Sequence, residues 1–281
     1  MRAVQNVAIA LLCLTLFLPT APAVAYVLRG GHILQLMAVS QGKAKHLKID
    51  QHLVVYDPSA VAGRTTLPET VRYSFPYRFR SDIDAESIHR IHVARGRNAL
   101  TVIDRKITSE SGGLFDRYKD PLLLRSRSLL ERWLADMGID AGTTSIGRFN
   151  DTLALVIGAQ YPDESVSQLW VDKATFRPLR LLVKTGEPLV REFEIRYLQW
   201  QAVGDGWYPW HVEFYENQML VRLIQVGTVA LEDTMAREMF DIAALKRKFA
   251  VKESPAAAGA EGDQPSEVQD TINQFKKRFK K

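Results

Sequence analysis

Cysteine is almost absent from this sequence. The 281-residue chain contains one, Cys13, inside an apolar run over residues 7–18, and Leu12 precedes it where lipid attachment to a cysteine would require a small residue. A single thiol cannot form an intramolecular disulfide, and the sequence after residue 25 offers neither a thiolate nucleophile nor a cysteine ligand for zinc or an iron–sulfur cluster. The folded part of the chain must therefore be stabilised by packing.

Recognisable catalytic motifs are also missing. There is no Gly-x-Ser-x-Gly, no His-Glu-x-x-His and no phosphate-binding glycine loop, and none of the six histidines stands in a catalytic signature. We therefore predict no enzymatic activity, no cofactor and no metal. The alternative is a hydrolase whose serine, histidine and aspartate meet only in the fold.

Two groups of residues have a weak metal-binding pattern. His89 and His92 are three apart, but residues at that spacing in an alternating strand point to opposite faces. Asp82, Asp84 and Glu86 could share one strand face and hold a hard cation, although no glycine turn or further oxygen donor accompanies them. We predict no metal at either place and interpret the acidic group as a charged loop.

Residues 1–25 have the pattern of a cleavable export signal. Arg2 precedes the apolar run, and the small residues Ala23 and Ala25 stand before Tyr26. We predict cleavage after Ala25 and a periplasmic location; an uncleaved anchor is the alternative, although the run is shorter than the ~20 residues of a bilayer span. Outside the cytoplasm there is no ready supply of ATP or reduced nicotinamide, so the function would run on binding energy, hydrolysis or metals.

Residues 26–250 are predicted to form one domain in which strands predominate. Val71, Tyr73 and Phe75 alternate with polar residues, as do Ile91 and Val93, which is typical of strands with one buried face. A hairpin is predicted over residues 88–94 and 100–107, and further strands over residues 153–157, 168–172, 179–184, 192–201, 207–216 and 219–229.

Two helices are predicted among these strands. One covers residues 27–39, and the other runs from Pro121, which suits a first helical position, to Gly138, which suits the end. With about ten strands and no repeated βαβ unit, the predicted fold class is α+β: a curved antiparallel sheet with helices against one face.

The C-terminal part has a different composition. Residues 251–265 are polar and rich in alanine, glycine and proline, and are predicted to be a flexible linker. Residues 266–281 are predicted to form a basic amphipathic helix that contacts an anionic membrane surface, although a solvated tail is an equal alternative. Nucleic acid is not a predicted partner, because the net charge of +5 is interleaved with acidic residues and the protein is exported. The predicted membrane contacts are Phe275, Lys276, Lys277, Arg278, Phe279, Lys280 and Lys281.

Several stretches resemble one known family. Residues 168–180 (QLWVDKATFRPLR) resemble a strand, an Asp-containing turn and a Pro-Leu strand start of the LolA-like outer-membrane lipoprotein-sorting proteins. Weaker likenesses lie at residues 70–80, 98–104, 207–210 and 239–242. The resemblance implies an incomplete β-barrel with helices covering its open side, and a carrier or binder that shields acyl chains in an apolar cavity.

The physical demand on such a carrier is large. Exposing one ~16-carbon acyl chain to water costs on the order of 10 kcal/mol, so nearly all of it must be covered by large, unreactive side chains. The same residues could instead fill an ordinary core, and the sequence leaves this open. The predicted wall consists of Val71, Tyr73, Phe75, Leu153, Leu155, Ile157, Trp170, Phe193, Ile195, Tyr197, Val212 and Phe214.

One position departs from the lipoprotein carriers. They have an arginine just before the strand proline, whereas this chain has Phe75 before Pro76. Arg78 and Arg80 are the nearby candidates for contact with an anionic head group. The resemblance implies lipid or an acylated protein as cargo and membrane-embedded donor or acceptor proteins as partners; the alternative is an envelope-stress or protein-interaction module on the same fold.

Overall fold

The computed structural model describes residues 27–56, 63–186 and 191–250. The predicted signal peptide, linker and basic helix lie outside these residues. The described chain contains thirteen strands in one antiparallel sheet. Their bounds are β1 His46–Tyr56, β2 Arg64–Ser74, β3 Arg78–Ala85, β4 Ile88–Arg95, β5 Asn98–Ile103, β6 Lys106–Ser109, β7 Thr144–Phe149, β8 Thr152–Ile157, β9 Gln168–Asp172, β10 Pro178–Thr185, β11 Arg191–Val203, β12 Gly206–Glu216 and β13 Met219–Glu232.

The sheet is a long meander whose first and last strands meet in the middle. Its order is β6-β5-β4-β3-β2-β1-β13-β12-β11-β10-β9-β8-β7. β1 pairs with β13 from His46 opposite Glu232 to Val55 opposite Arg222. β6 and β7 are the two edges and do not pair with each other, so the sheet stays open. The predicted α+β class, an open curved antiparallel sheet with helices, is confirmed.

Four α-helices accompany the sheet within the described residues: α1 Gly30–Ser40, α2 Asp120–Leu123, α3 Arg127–Asp136 and α4 Ile242–Phe249. Two 3-10 helices cover Leu114–Lys119 and Arg237–Phe240. None of the helices in the described ranges is both long and apolar enough to cross a bilayer.

The single helix predicted over residues 121–137 is in fact two. Leu124 adopts an extended conformation, with φ −81° and ψ 114°, and ends α2 after one turn. Ser126 then caps α3, its hydroxyl accepting a hydrogen bond from the Leu129 amide at 3.4 Å. The spacing of the apolar residues gave no sign of this break, because both helices bury leucines in the main core.

The predicted hairpin arm over residues 100–107 also divides. β5 ends at Ile103 and β6 begins at Lys106, because Asp104 and Arg105 have φ values of 47° and 67° and form a tight turn. The acidic segment interpreted as a loop is largely strand, since β3 continues to Ala85.

The two faces of the sheet are covered by different parts of the chain. We call the face that packs against α1, α2 and α3 the inner face, and the opposite one the outer face. Ile33, Leu34 and Met37 of α1 are completely buried in the main core on the inner face. On the outer face, Phe240 and Leu245 cover β4 and β5 in a separate apolar cluster.

Candidate functional site

The predicted wall residues lie mostly together on the inner face. Nine of them belong to the main core and are exposed by 2 % or less, and Phe75 packs against that core while partly exposed. The strands supply them at every second position, so the alternation in the sequence places them on one face. The nine are Val71, Tyr73, Leu155, Ile157, Phe193, Ile195, Tyr197, Val212 and Phe214.

The structure places Trp170 and Leu153 elsewhere. Leu169 and Val171 of β9 belong to the inner core, so Trp170 between them points to the outer face. Its ring packs edge-on against Tyr161 at 5.9 Å between centroids. Leu153 is 45 % exposed, and neither residue belongs to the buried wall.

The space in front of the wall is occupied by the chain itself. Phe115, from the first 3-10 helix, packs against Phe193 with ring centroids 5.2 Å apart, and Tyr118 packs against Phe214 at 5.7 Å. The Tyr197 hydroxyl donates to the Tyr118 carbonyl at 3.1 Å. In this conformation the wall is a filled core, and an acyl chain could reach it only if the 3-10 helix moved away.

The first 3-10 helix, α2 and α3 together cover the wall, and we call this segment, residues 114–136, the helical cover. Arg125 links it to the sheet. Its guanidinium lies over the Phe75 ring at 3.7 Å and donates to the carbonyls of Gln41 and Gly42, the latter at 3.2 Å. Burial lowers the pKa of Arg125 to about 10, so it stays charged at neutral pH. A guanidinium thus lies beside the position where the lipoprotein carriers have an arginine, but here it comes from the segment between α2 and α3.

A second part of the inner face is ionic and was not predicted. Glu69 on β2 is buried and accepts hydrogen bonds from Gln51 at 2.7 Å, from the Ser81 hydroxyl and from Arg90 at 3.5 Å. Glu69 lies between two core residues of its strand, Leu67 and Val71. In the sequence, this buried group could have been recognised because a charged residue stands at a position where the alternation of the strand requires an apolar one.

Asp116 lies beside Glu69 and Arg90 at the end of the inner face. It accepts from the Gly113 amide at 2.9 Å, and His92 Nε2 lies 3.3 Å from its carboxylate. Burial would raise the pKa of Asp116, but His92, Lys119 and Arg90 outweigh it and the pKa falls to about 2. Burial lowers the pKa of His92 to about 4, so at neutral pH the positive neighbours of Asp116 are Lys119 and Arg90.

Arg222 on β13 also belongs to this group, and we call Glu69, Arg90, Asp116 and Arg222 together the ionic end of the inner face. Its guanidinium stacks on the Phe115 ring at 3.8 Å, and its Nε is buried without a hydrogen-bond partner. No ion pair joins it to another residue of the described chain. Burial lowers the pKa of Arg222 to about 10. Arg222 lines a small cavity together with Glu69, Arg90, Asp116 and Tyr118.

The predicted head-group residues Arg78 and Arg80 lie away from the wall. Phe79 between them is in the inner core, so both point outward. Arg80 is bound by Asp82 at 2.8 Å and by the Met239 carbonyl at 2.8 Å. Arg78 is 3.5 Å from the Ser74 hydroxyl. The structure gives Arg80 partners within the chain, and it does not bring either residue to the apolar wall.

The residues considered for metal binding are also separated or paired. His89 is exposed beside Asp84, whereas His92 is buried on the inner face, so the two point to opposite faces as the strand pattern predicts. Asp82 is paired with Arg72 at 2.7 Å. Across the described ranges no group of three or more histidine, cysteine, aspartate or glutamate side chains is placed to hold a metal.

Comparison with known proteins identifies the fold. A LolA superfamily protein from Nitrosomonas europaea matches with a TM-score of 0.53 at 13% identity, covering 78% of this chain and 100% of that one. An outer membrane lipoprotein-sorting protein domain from Vibrio parahaemolyticus matches with a TM-score of 0.55 at 12% identity, covering 78% and 98%. A DUF1329 family protein from Desulfovibrio piger matches with a TM-score of 0.53 at 10% identity, covering 77% and 97%.

The sequence itself matches no protein-family model and no curated protein. The structural matches nevertheless span almost the whole length of each of the three proteins. The chain therefore has a LolA-like fold, as the resemblance predicted. At these identities the likeness defines the fold, and the function has to be argued from the inner face.

Proposed function

We propose that this protein is a periplasmic carrier or binder of a lipid or a lipid-modified protein and that it acts without covalent catalysis. The observation that carries the proposal is the inner face, a continuous surface of aromatic and aliphatic side chains contributed by strands from both halves of the sheet. Such a surface suits flexible hydrocarbon better than a polar substrate. A LolA-like fold is consistent with this class of ligand.

Binding requires the helical cover to open. The covering elements over the wall are short, since the 3-10 helix has six residues and α2 has four. An acyl chain would replace the contacts of Phe115 and Tyr118 with contacts of a similar kind, at about 0.8 kcal/mol for each buried methylene. Opening also breaks polar contacts of the cover, such as those of Arg125 and the 3.1 Å bond from the Tyr197 hydroxyl to the Tyr118 carbonyl.

Two measurements test the proposal. Lipid extracted from the gently purified, full-length protein should be identified by mass spectrometry in near-stoichiometric amount. A photoreactive benzoylphenylalanine introduced at Phe115 should cross-link to that lipid after delipidation and reloading, whereas the same residue at Tyr161 on the outer face should not. A protein with no lipid and a stoichiometric protein partner would instead support the interaction-module alternative.

The predicted basic tail is a separate part of the proposal. Five lysine or arginine side chains near an anionic surface contribute about 1 kcal/mol each, so residues 266–281 would dock the carrier to such a membrane. Deletion of these residues should weaken co-sedimentation with anionic vesicles and leave the thermal unfolding of the domain unchanged. Equal sedimentation of the two forms would reject the docking role.

A further inference from the structure

The ionic end of the inner face contains one guanidinium that the fold does not satisfy. Arg222 stacks on Phe115 at 3.8 Å, but its buried Nε has no hydrogen-bond partner. Every other charge at this end has one, because Glu69 binds Arg90, Gln51 and Ser81, and Asp116 binds the Gly113 amide. Arg222 is partly buried as a residue, but its Nε is shielded from water without an acceptor, which is costly, and an anion in the cavity would supply that acceptor.

The nearby carboxylates do not take the place of that anion. Both oxygens of Glu69 are already engaged by Gln51, Ser81 and Arg90. Glu69 and Asp116 lie close enough to favour the charged form of Arg222, but neither forms a hydrogen bond or an ion pair with it in the described chain. Arg222 therefore remains the free donor of this group.

The surroundings of Arg222 are those of an amphiphile site. The cavity that it lines is partly open and has room for about one water molecule. Polar groups form one part of its wall, and Leu53, Phe79 and Phe214 form the other. Phe214 also belongs to the apolar wall described above, so the cavity borders the surface on which an acyl chain would lie.

We propose that Arg222 binds the anionic head group, carboxylate or phosphate, of the amphiphile whose chain lies on the inner face. This inference rests on the proposed carrier function and names its ligand class. The guanidinium would donate to the head-group oxygens at the border of the apolar wall. A planar guanidinium suits this role because it can donate two parallel hydrogen bonds to a carboxylate or phosphate.

The test compares ligands that share one chain and differ in the head group. Full-length delipidated protein and its Arg222→Gln variant are titrated calorimetrically with dodecyl phosphate and with neutral dodecyl maltoside below their micelle concentrations. Arg222→Gln should weaken dodecyl phosphate binding by roughly 10- to 100-fold, the factor expected for charged hydrogen bonds, and change maltoside binding less than about twofold. Arg222→Lys should restore part of the loss, since lysine keeps the positive charge but cannot donate two parallel hydrogen bonds.

The matched control is Arg97→Gln, which removes a positive charge from an 80 % exposed side chain on the surface and should change neither affinity. If the protein binds both amphiphiles and Arg222→Gln weakens them equally, the head-group site is wrong and the carrier function stands. If the protein binds neither, the carrier function itself fails.

Two further results would overturn the inference. Inorganic phosphate binding as tightly as dodecyl phosphate would show a site for a free anion rather than for a lipid head group. A large fall in Tm for both Arg222→Gln and Arg222→Met would show that Arg222 is held by structural partners. We expect an unchanged or raised Tm, because no hydrogen bond is lost.

Discussion

The charge state of His92 is set by its position inside the protein. Its side chain is 1 % exposed, and Nδ1 lies 2.9 Å from the Thr101 hydroxyl. Burial lowers the pKa of His92 to about 4; Asp116 opposes this shift, and Arg90 and Lys119 act in the same direction as burial. The imidazole is therefore neutral in the folded protein at pH values where a solvated histidine is already protonated.

The stability of the protein should consequently fall as the pH is lowered from about 6.5 to about 4. In this window the unfolded chain binds a proton at His92 and the folded chain does not, so protonation favours unfolding by up to about 3 kcal/mol. His92→Gln should flatten the profile of unfolding free energy against pH, measured by urea titration. His89→Gln, at an exposed site, is the control and should leave the profile unchanged; identical profiles for all three proteins would contradict the assignment.

Individual residues were the hardest feature to predict from the sequence. Nine of the predicted wall residues lie on one face of the sheet, because strand parity alone fixes the face. The alternation failed for Trp170, since β9 is buried on both faces and residue type then carries no information about direction. Arg222 and Glu69 were missed because a search for known motifs passes over charges that stand singly at apolar positions.

At the scale of the elements, α4 shows how the outer face of the sheet is closed. β5 is buried at five consecutive positions, so Leu100 and Val102 on its outer face need a cover. Phe240 and Leu245 provide it, and Asp241 caps α4 by accepting from the Ala244 amide at 2.9 Å. The sequence did not predict α4, because it has only eight residues, although Ile242, Leu245 and Phe249 stand at helical spacing within it.

Phe240→Ala should therefore be strongly destabilising. The side chain is 2 % exposed, and removing a buried phenylalanine ring costs about 3–5 kcal/mol. Phe249→Ala, at the partly exposed end of α4, should cost clearly less. Denaturant unfolding of both variants checks the difference, and equal effects would show that Phe240, at the end of the preceding 3-10 helix, is not the main anchor of this segment.

At the scale of the whole molecule, the sequence predicted the open antiparallel sheet but left the state of its interior undecided. The strands can be predicted from the alternation of apolar and polar residues. Phe115 and Tyr118, in contrast, belong to a 3-10 helix whose apolar residues show no regular spacing. Whether such a segment fills the space in front of the wall depends on contacts between distant parts of the chain, such as Phe115 with Phe193.

Arg125 is the contact whose loss should shift the balance toward an open interior. Arg125→Met keeps an apolar stem against Phe75 but removes the hydrogen bonds to the α1 end, which should lower the unfolding free energy by about 1–3 kcal/mol. Uptake of the fluorescent probe N-phenylnaphthylamine should become faster. The exposed Arg97→Met serves as the control and should change stability by no more than about 1 kcal/mol; unchanged uptake by Arg125→Met would show that this arginine does not restrain the cover.

The central pairing of β1 with β13 has a consequence for how the chain acquires its fold. β2 to β6 and β7 to β12 are successions of local hairpins, which can form as soon as each is available, whereas His46 must find Glu232 from near the other end of the described chain. Such distant pairings are slow because they require closure of a long loop. A chain arriving with its N-terminus first would hold β1 with one unsatisfied backbone edge until β13 appears, and during that interval the edge would be open to pairing with other chains.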